Sequence, residues 1–106
     1  MGLAKIALAC AQKVHQGKWQ ESWDLIQQQN NNTNVTDLDR QQFEGMGHVC
    51  KHFMGTTIPA NRSSIIQEAL KKSISLKQIW NDEQPNVVVG IEMLCAHFNL
   101  RLLKQN

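Results

Sequence analysis

The sequence predicts an all-α protein of about five helices, packed as an antiparallel α-α stack or helical bundle in a single domain over residues 1–106. Apolar residues recur at i, i+3, i+4 and i+7 through most of the chain. Gly or Pro falls where most of these stretches should stop. The one run that could open a strand, Val87-Val88-Val89, has no second strand to pair with, so it reads as helix. A chain of 106 residues supports one modest core.

In the first helix, Leu3, Ile6, Cys10, Lys13 and Val14 share a face. Ala4, Leu8 and Ala11 make a second, smaller apolar face, whose small residues let another helix come close. Gly17 breaks this segment. Trp19, Trp23 and Ile26 restart the stripe at i, i+4 and i+7 and read as core anchors; it runs out in the amide-rich loop 27–34. Thr36 and Asp39 have the spacing of a capping box, with Asp in place of the longer Glu, so a third helix should begin at Asp37. On it Leu38, Phe43, Met46, Val49, Cys50 and Phe53 project to one side, with Glu44, His48, Lys51 and His52 opposite. Gly45 and Gly47 each weaken that helix by about 1 kcal/mol relative to Ala, so tertiary packing must hold it. Residues 55–59 end it. Asn61 or Ser63 is expected to cap the fourth helix, where Ile66, Ala69, Leu70, Ser73 and Trp80 share a face and Glu68, Lys71 and Lys72 meet water. Residues 81–85 form a turn, with Pro85 suited to the first helical position of the last segment.

The last helix, over 86–104, is apolar most of the way round. Val87, Ile91, Leu94, Cys95, Phe98 and Leu102 form one face; Val89, Met93, Ala96, Leu100 and Leu103 form another, flanked by His97 and Arg101. Such a helix is either buried between layers or covers one layer and offers its remaining face to a partner. In so small a domain the second arrangement makes Val89, Met93, Ala96, His97, Leu100, Arg101 and Leu103 the expected partner-binding surface, for a protein partner's helix or for a second copy of the chain.

A pattern also repeats around the cysteines: Ile6-Ala9-Cys10-Lys13, Met46-Val49-Cys50-Phe53 and Ile91-Leu94-Cys95-Phe98, the last two sharing Cys-x-His-Phe. Its period of 40 to 45 residues suits an α-α repeat, although any amphipathic core helix yields similar matches. Within the first 26 residues, Gly17, then Trp19 two later and Ser22 three after that, with Cys10 as the small residue of the preceding helix, resembles the helix corner of a tetratricopeptide repeat. The second unit has Pro59 and Arg62 where the aromatic and small residues belong. The resemblance implies a peptide- or protein-binding scaffold without chemistry of its own.

Composition narrows the alternatives. Residues are 42% hydrophobic and 19% charged, the net charge is +2, and Gln and Asn fill 21 positions. That excludes a disordered polyelectrolyte, and no run approaches the ~18 apolar residues of a membrane span. Three cysteines, none in a CxxC pair, together with a start lacking an apolar signal segment, point to reduced thiols and an intracellular, cytoplasmic or nuclear setting. Cys50 with His52 and Cys95 with His97 have zinc-ligand types, but positions i and i+2 lie ~200° apart on a helix and cannot share an ion. Glu44, His48 and His52 lie along one helix side and read as a solvated polar face. Asp37 with Asp39 and Asp82 with Glu83 stand at helix starts, where acidic residues complement the dipole. All three thiols read as mid-helix and apolar, and no nucleophile elbow or phosphate loop is present. No catalytic residue, cofactor or metal is therefore expected, and the protein reads as a non-enzymatic interaction module of the adaptor, scaffold or regulatory kind. The alternative is a small regulatory nucleic-acid-binding protein using Arg62, Lys71, Lys72 and Lys77 with Trp80 nearby.

Overall fold

The computed structural model describes the backbone of residues 3–71 and 84–105, and the side chains of 5–71 and 84–99. Among them are five α-helices and one 3-10 turn: α1 (Leu3–His15), α2 (Trp19–Gln28), the turn Gln29–Asn31, α3 (Asp37–Phe53), α4 (Ala60–Leu70) and α5 (Pro85–Gln105). The protein is an all-α helical bundle.

The helix ends follow local chemistry. Gly17 adopts a left-handed φ of 75°, and behind it the Gly17 and Lys18 N–H groups donate to the Val14 and Lys13 carbonyls at 3.0 and 2.8 Å. That pair of bonds satisfies carbonyls that the end of α1 would otherwise leave open. α3 closes in the same way, with Gly55 at φ 79° and the Gly55 and Thr56 N–H groups donating to His52 and Lys51 at 3.2 and 2.9 Å. At its start the capping box forms: Thr36 Oγ1 accepts from the Asp39 N–H at 3.2 Å, and the Asp39 carboxylate accepts from the Thr36 N–H at 3.4 Å. Pro85 opens α5, as its fixed φ favours.

Two expectations are corrected here. α4 begins one residue after Pro59 and has no side-chain cap; the Arg62 and Ser63 N–H groups donate instead to the Pro59 carbonyl at 3.0 Å, which puts Asn61 and Ser63 inside the helix. Leu38 is 60% exposed, because it lies in the first turn of α3, ahead of Phe43, where that helix starts to bury residues. Lys72, Ser73, Lys77, Trp80, Asp82 and Glu83 lie outside the described residues.

α3 and α5 form the most extensive helix–helix contact; α2 packs on α1 and α3, α4 on α5, and α1 on α5 as well as α2. The centre is built from Val14 of α1, Met46 and Val49 of α3, Ile65 and Ile66 of α4, and Val87, Ile91 and Leu94 of α5, all at most 1% exposed. α3 and α5 run side by side in the same direction, since Gln41 meets Asn86 near their starts (Nδ2 of Asn86 donating to Oε1 at 3.5 Å) and Phe53 meets Phe98 further along (ring centres 4.5 Å apart). Both pairs join residues 45 positions apart, the spacing that also separates Cys50 from Cys95. Gly45 and Gly90 share it too. A methyl on Gly45 would overlap the Val87 carbonyl oxygen, and one on Gly90 would overlap that of Gln42. Gln42 and Val87 are themselves 45 apart, so the contact is reciprocal and the two helices are related by a local pseudo-twofold axis running between them.

The three cysteines are all buried. Ser22, fully buried on α2, donates from Oγ to the Cys10 carbonyl at 3.2 Å and accepts from the Cys50 thiol at 3.5 Å. A polar side chain in the core is thereby satisfied. Trp19 and Trp23 are half-buried rather than wholly internal. Trp19 stacks on Phe53 at 4.4 Å and lies 5.7 Å from Phe98, while the Lys51 ammonium stands 4.6 Å over the Trp23 ring.

Candidate functional site

α1 turns Ile6, Cys10, Ala11 and Val14 to the core. Leu8, two residues from both Ile6 and Cys10, is thrown by the helical turn to the far side of them and is 56% exposed. Beside it, α5 presents Met93 and, one turn on, His97. Two adjoining cavities open between these helices. One, of about 290 Å³, is lined by Ala7, Leu8, Met46, Met93, Leu94 and His97. The other, of about 540 Å³, is lined by Leu8, Ala11, Gln12, His15, Gln16 and His97. They share Leu8 and His97, so they form one groove, apolar at the Met93 end and edged by amides and imidazoles at the His15 end.

His15 and His97 meet across the groove with ring centres 5.6 Å apart and planes at 73°. Burial pushes the His97 pKa down from its usual 6.5, and the neighbouring His15 pushes it the same way, because a second positive charge there is unwelcome.

Of the surface expected from the sequence, Met93 and His97 line the groove and are half-buried. Ala96 is exposed and Val89 half-buried, and neither lines these cavities. The side chains of Leu100, Arg101 and Leu103 lie outside the described ones. Leu8, Gln12 and His15 were not part of the expected surface. The second apolar face of α1, Ala4, Leu8 and Ala11, signals Leu8 alone of these, and spacing along α1 cannot say which helix will lie beside it.

A third cavity, of about 240 Å³, lies between α2 and α3, with Ile26 and Phe43 among its apolar residues and Arg40, Glu44, His48 and Lys51 among its polar ones. It corrects the expected polar face of α3. His48 is half-buried there, and its Nδ1 is buried without a hydrogen-bond partner, because α2 covers that side of the helix. Its pKa lies below 6.5 through burial, against the pull of Glu44, with Arg62 and Lys51 adding to the shift. His52 is half-buried, its ring meeting that of Phe53 edge-on at 5.1 Å. No group of three or more His, Cys, Asp or Glu able to hold a metal is assembled among the described residues.

Burial pushes the Cys10 and Cys50 thiols up to about 11, against the hydrogen bonding of Ser22, and the Cys95 thiol up to about 12. Protonated, enclosed thiols are poor nucleophiles. Arg62, expected on the surface, is instead 8% exposed, with Nη2 donating to Gln84 Oε1 at 3.2 Å. Its place in α4, three and four residues before Ile65 and Ile66, draws its stem onto the core side. Among the described residues no helix is long and apolar enough to cross a membrane. No protein-family model, no curated protein and no solved structure matches this chain.

Proposed function

We propose that this chain is a non-enzymatic protein-interaction module whose α1/α5 groove takes an amphipathic helix of a partner protein. Leu8 carries the reading: a large apolar side chain, more than half exposed, stands where two cavities join. A helix laid in a groove is anchored by apolar residues one turn apart. Along α1, Leu8, Ala11, Gln12 and His15 offer matching positions at i, i+3, i+4 and i+7, and Met93 with His97 does so on α5. Ala7 and Ala11 keep the wall low enough for close approach. The resemblance of the first helix corner to a tetratricopeptide repeat, whose scaffolds bind peptides, points the same way. The buried, protonated thiols favour a role without covalent catalysis.

The test is a selection of displayed amphipathic helical peptides on the intact chain, followed by the same peptides on Leu8→Glu and Met93→Glu. Leu8→Glu puts a charge on an exposed site, so circular dichroism should be unchanged while peptide binding weakens by roughly tenfold or more, the loss of one apolar anchor plus burial of a charge. Peptides that bind both proteins equally would defeat the reading. Sedimentation of the two proteins alone separates out the other occupant: a dimer that Leu8→Glu dissolves would mean that a second copy fills the groove.

A further inference from the structure

We propose that His15 and His97 form a two-imidazole site for a late first-row divalent cation of the Ni²⁺, Cu²⁺ or Zn²⁺ class, which would clip the end of α1 to the middle of α5. The rings come from different helices and stand with centres 5.6 Å apart at the edge of the open groove. Neither makes a hydrogen bond or ion pair with another described residue, so their nitrogens are not committed elsewhere. A cation about 2.0–2.1 Å from one nitrogen of each ring lies about 3.2 Å from each ring centre, and centres 5.6 Å apart then subtend about 120° at it, close to a tetrahedral opening. Rotation of the rings about their terminal torsions aims the nitrogens without moving the backbone.

The donor set selects the metal class. Imidazole nitrogen suits Ni, Cu and Zn, whereas Mg and Ca require oxygen cages. A neutral imidazole, with a lone pair free on one ring nitrogen, is the form that binds the metal. Gln12 and Gln16 line the same cavity, and an amide oxygen or water would complete the coordination. The thiols do not compete, being buried and protonated. The rival pair is His48 and His52, one turn apart on α3, but His48 is hemmed in by α2 and His52 packs on Phe53. His52 is also the pseudo-twofold counterpart of His97, 45 positions away; it has the same chemistry without a second imidazole across from it, which makes it the internal control. The site does not depend on the docking reading, since it belongs to the isolated chain.

The intact protein is titrated with NiCl₂ by calorimetry, and its melting temperature is recorded with and without the metal. Saturable binding and a rise of several degrees are expected, both lost in His15→Phe and in His97→Phe, which keep a ring in place, and both retained in His52→Phe. Because a ring variant can perturb packing, CuCl₂ is also added to the unaltered protein while the histidine ring protons are followed by NMR. Paramagnetic broadening should reach His15 and His97 together, before His48 and His52. Absence of binding, binding that survives His97→Phe, or broadening that starts at His48 and His52 overturns the proposal.

Discussion

Gly45 and Gly90 reverse the usual ranking of residues inside a helix. Propensity alone makes Gly→Ala favourable by about 1 kcal/mol at such positions. Here each glycine lies against the backbone of the opposite helix, at Val87 and Gln42, where a methyl group has no room. Gly45→Ala and Gly90→Ala are therefore each expected to lower the unfolding free energy by about 1–3 kcal/mol or more, the cost of overpacking against atoms that cannot rotate away. The two effects should match, because the sites are pseudo-twofold equivalents. Urea denaturation measures both, and a gain in stability from either would refute the close crossing. Gly47→Ala should be milder: its methyl would meet a Trp23 ring carbon at 2.7 Å, and a side chain can shift where a backbone cannot. Ser22 is the polar counterpart, a hydroxyl admitted to the core because Cys10 and Cys50 use it.

At the scale of the element, helix starts and stops rest on a few hydrogen bonds that neighbouring helices do not supply. The capping box at Thr36 satisfies two groups at once. Thr36→Ala should thus destabilise the protein by about 1 kcal/mol, read as a lower thermal midpoint with the same native helicity; an unchanged midpoint would show that the bonds in that exposed turn are replaced by water. The box, the closing roles of Gly17 and Gly55 and the proline start of α5 all rest on chemistry within a few residues, so they were legible from spacing. Faces were less so. Leu38 fits the apolar stripe of α3 but lies ahead of the packed stretch, and His48 fits the polar stripe but lies under α2. A helical projection gives an angle about the axis and says nothing about where along it a neighbour lies.

For the whole molecule, burial couples stability to pH at both ends. His48 and His97 have pKa values held below 6.5, so the unfolded chain takes up those protons at a higher pH than the folded one does. Their contribution is intact above pH 6.5 and is lost as the pH falls below it. The thiols, raised from 9.0 to about 11 for Cys10 and Cys50 and about 12 for Cys95, act in the opposite sense: their contribution is intact below pH 9.0 and is lost as the pH rises toward those values. The urea midpoint should accordingly form a plateau between pH 6.5 and 9.0 and fall on either side. A midpoint that climbs on acidification would mean that the two imidazoles are better protonated in the fold than out of it. The helical class, the helix ends other than the start of α4, and the burial of all three cysteines could be read along the chain, because propensity, capping and periodicity are local. That Leu8 lies beside Met93 and His97, that His15 stands against His97, and that Gly45 and Gly90 are sites of close backbone contact depended on the packing of segments far apart in the chain. Periodicity marks the side of a helix that seeks a neighbour, and only the shared core selects which neighbour it finds.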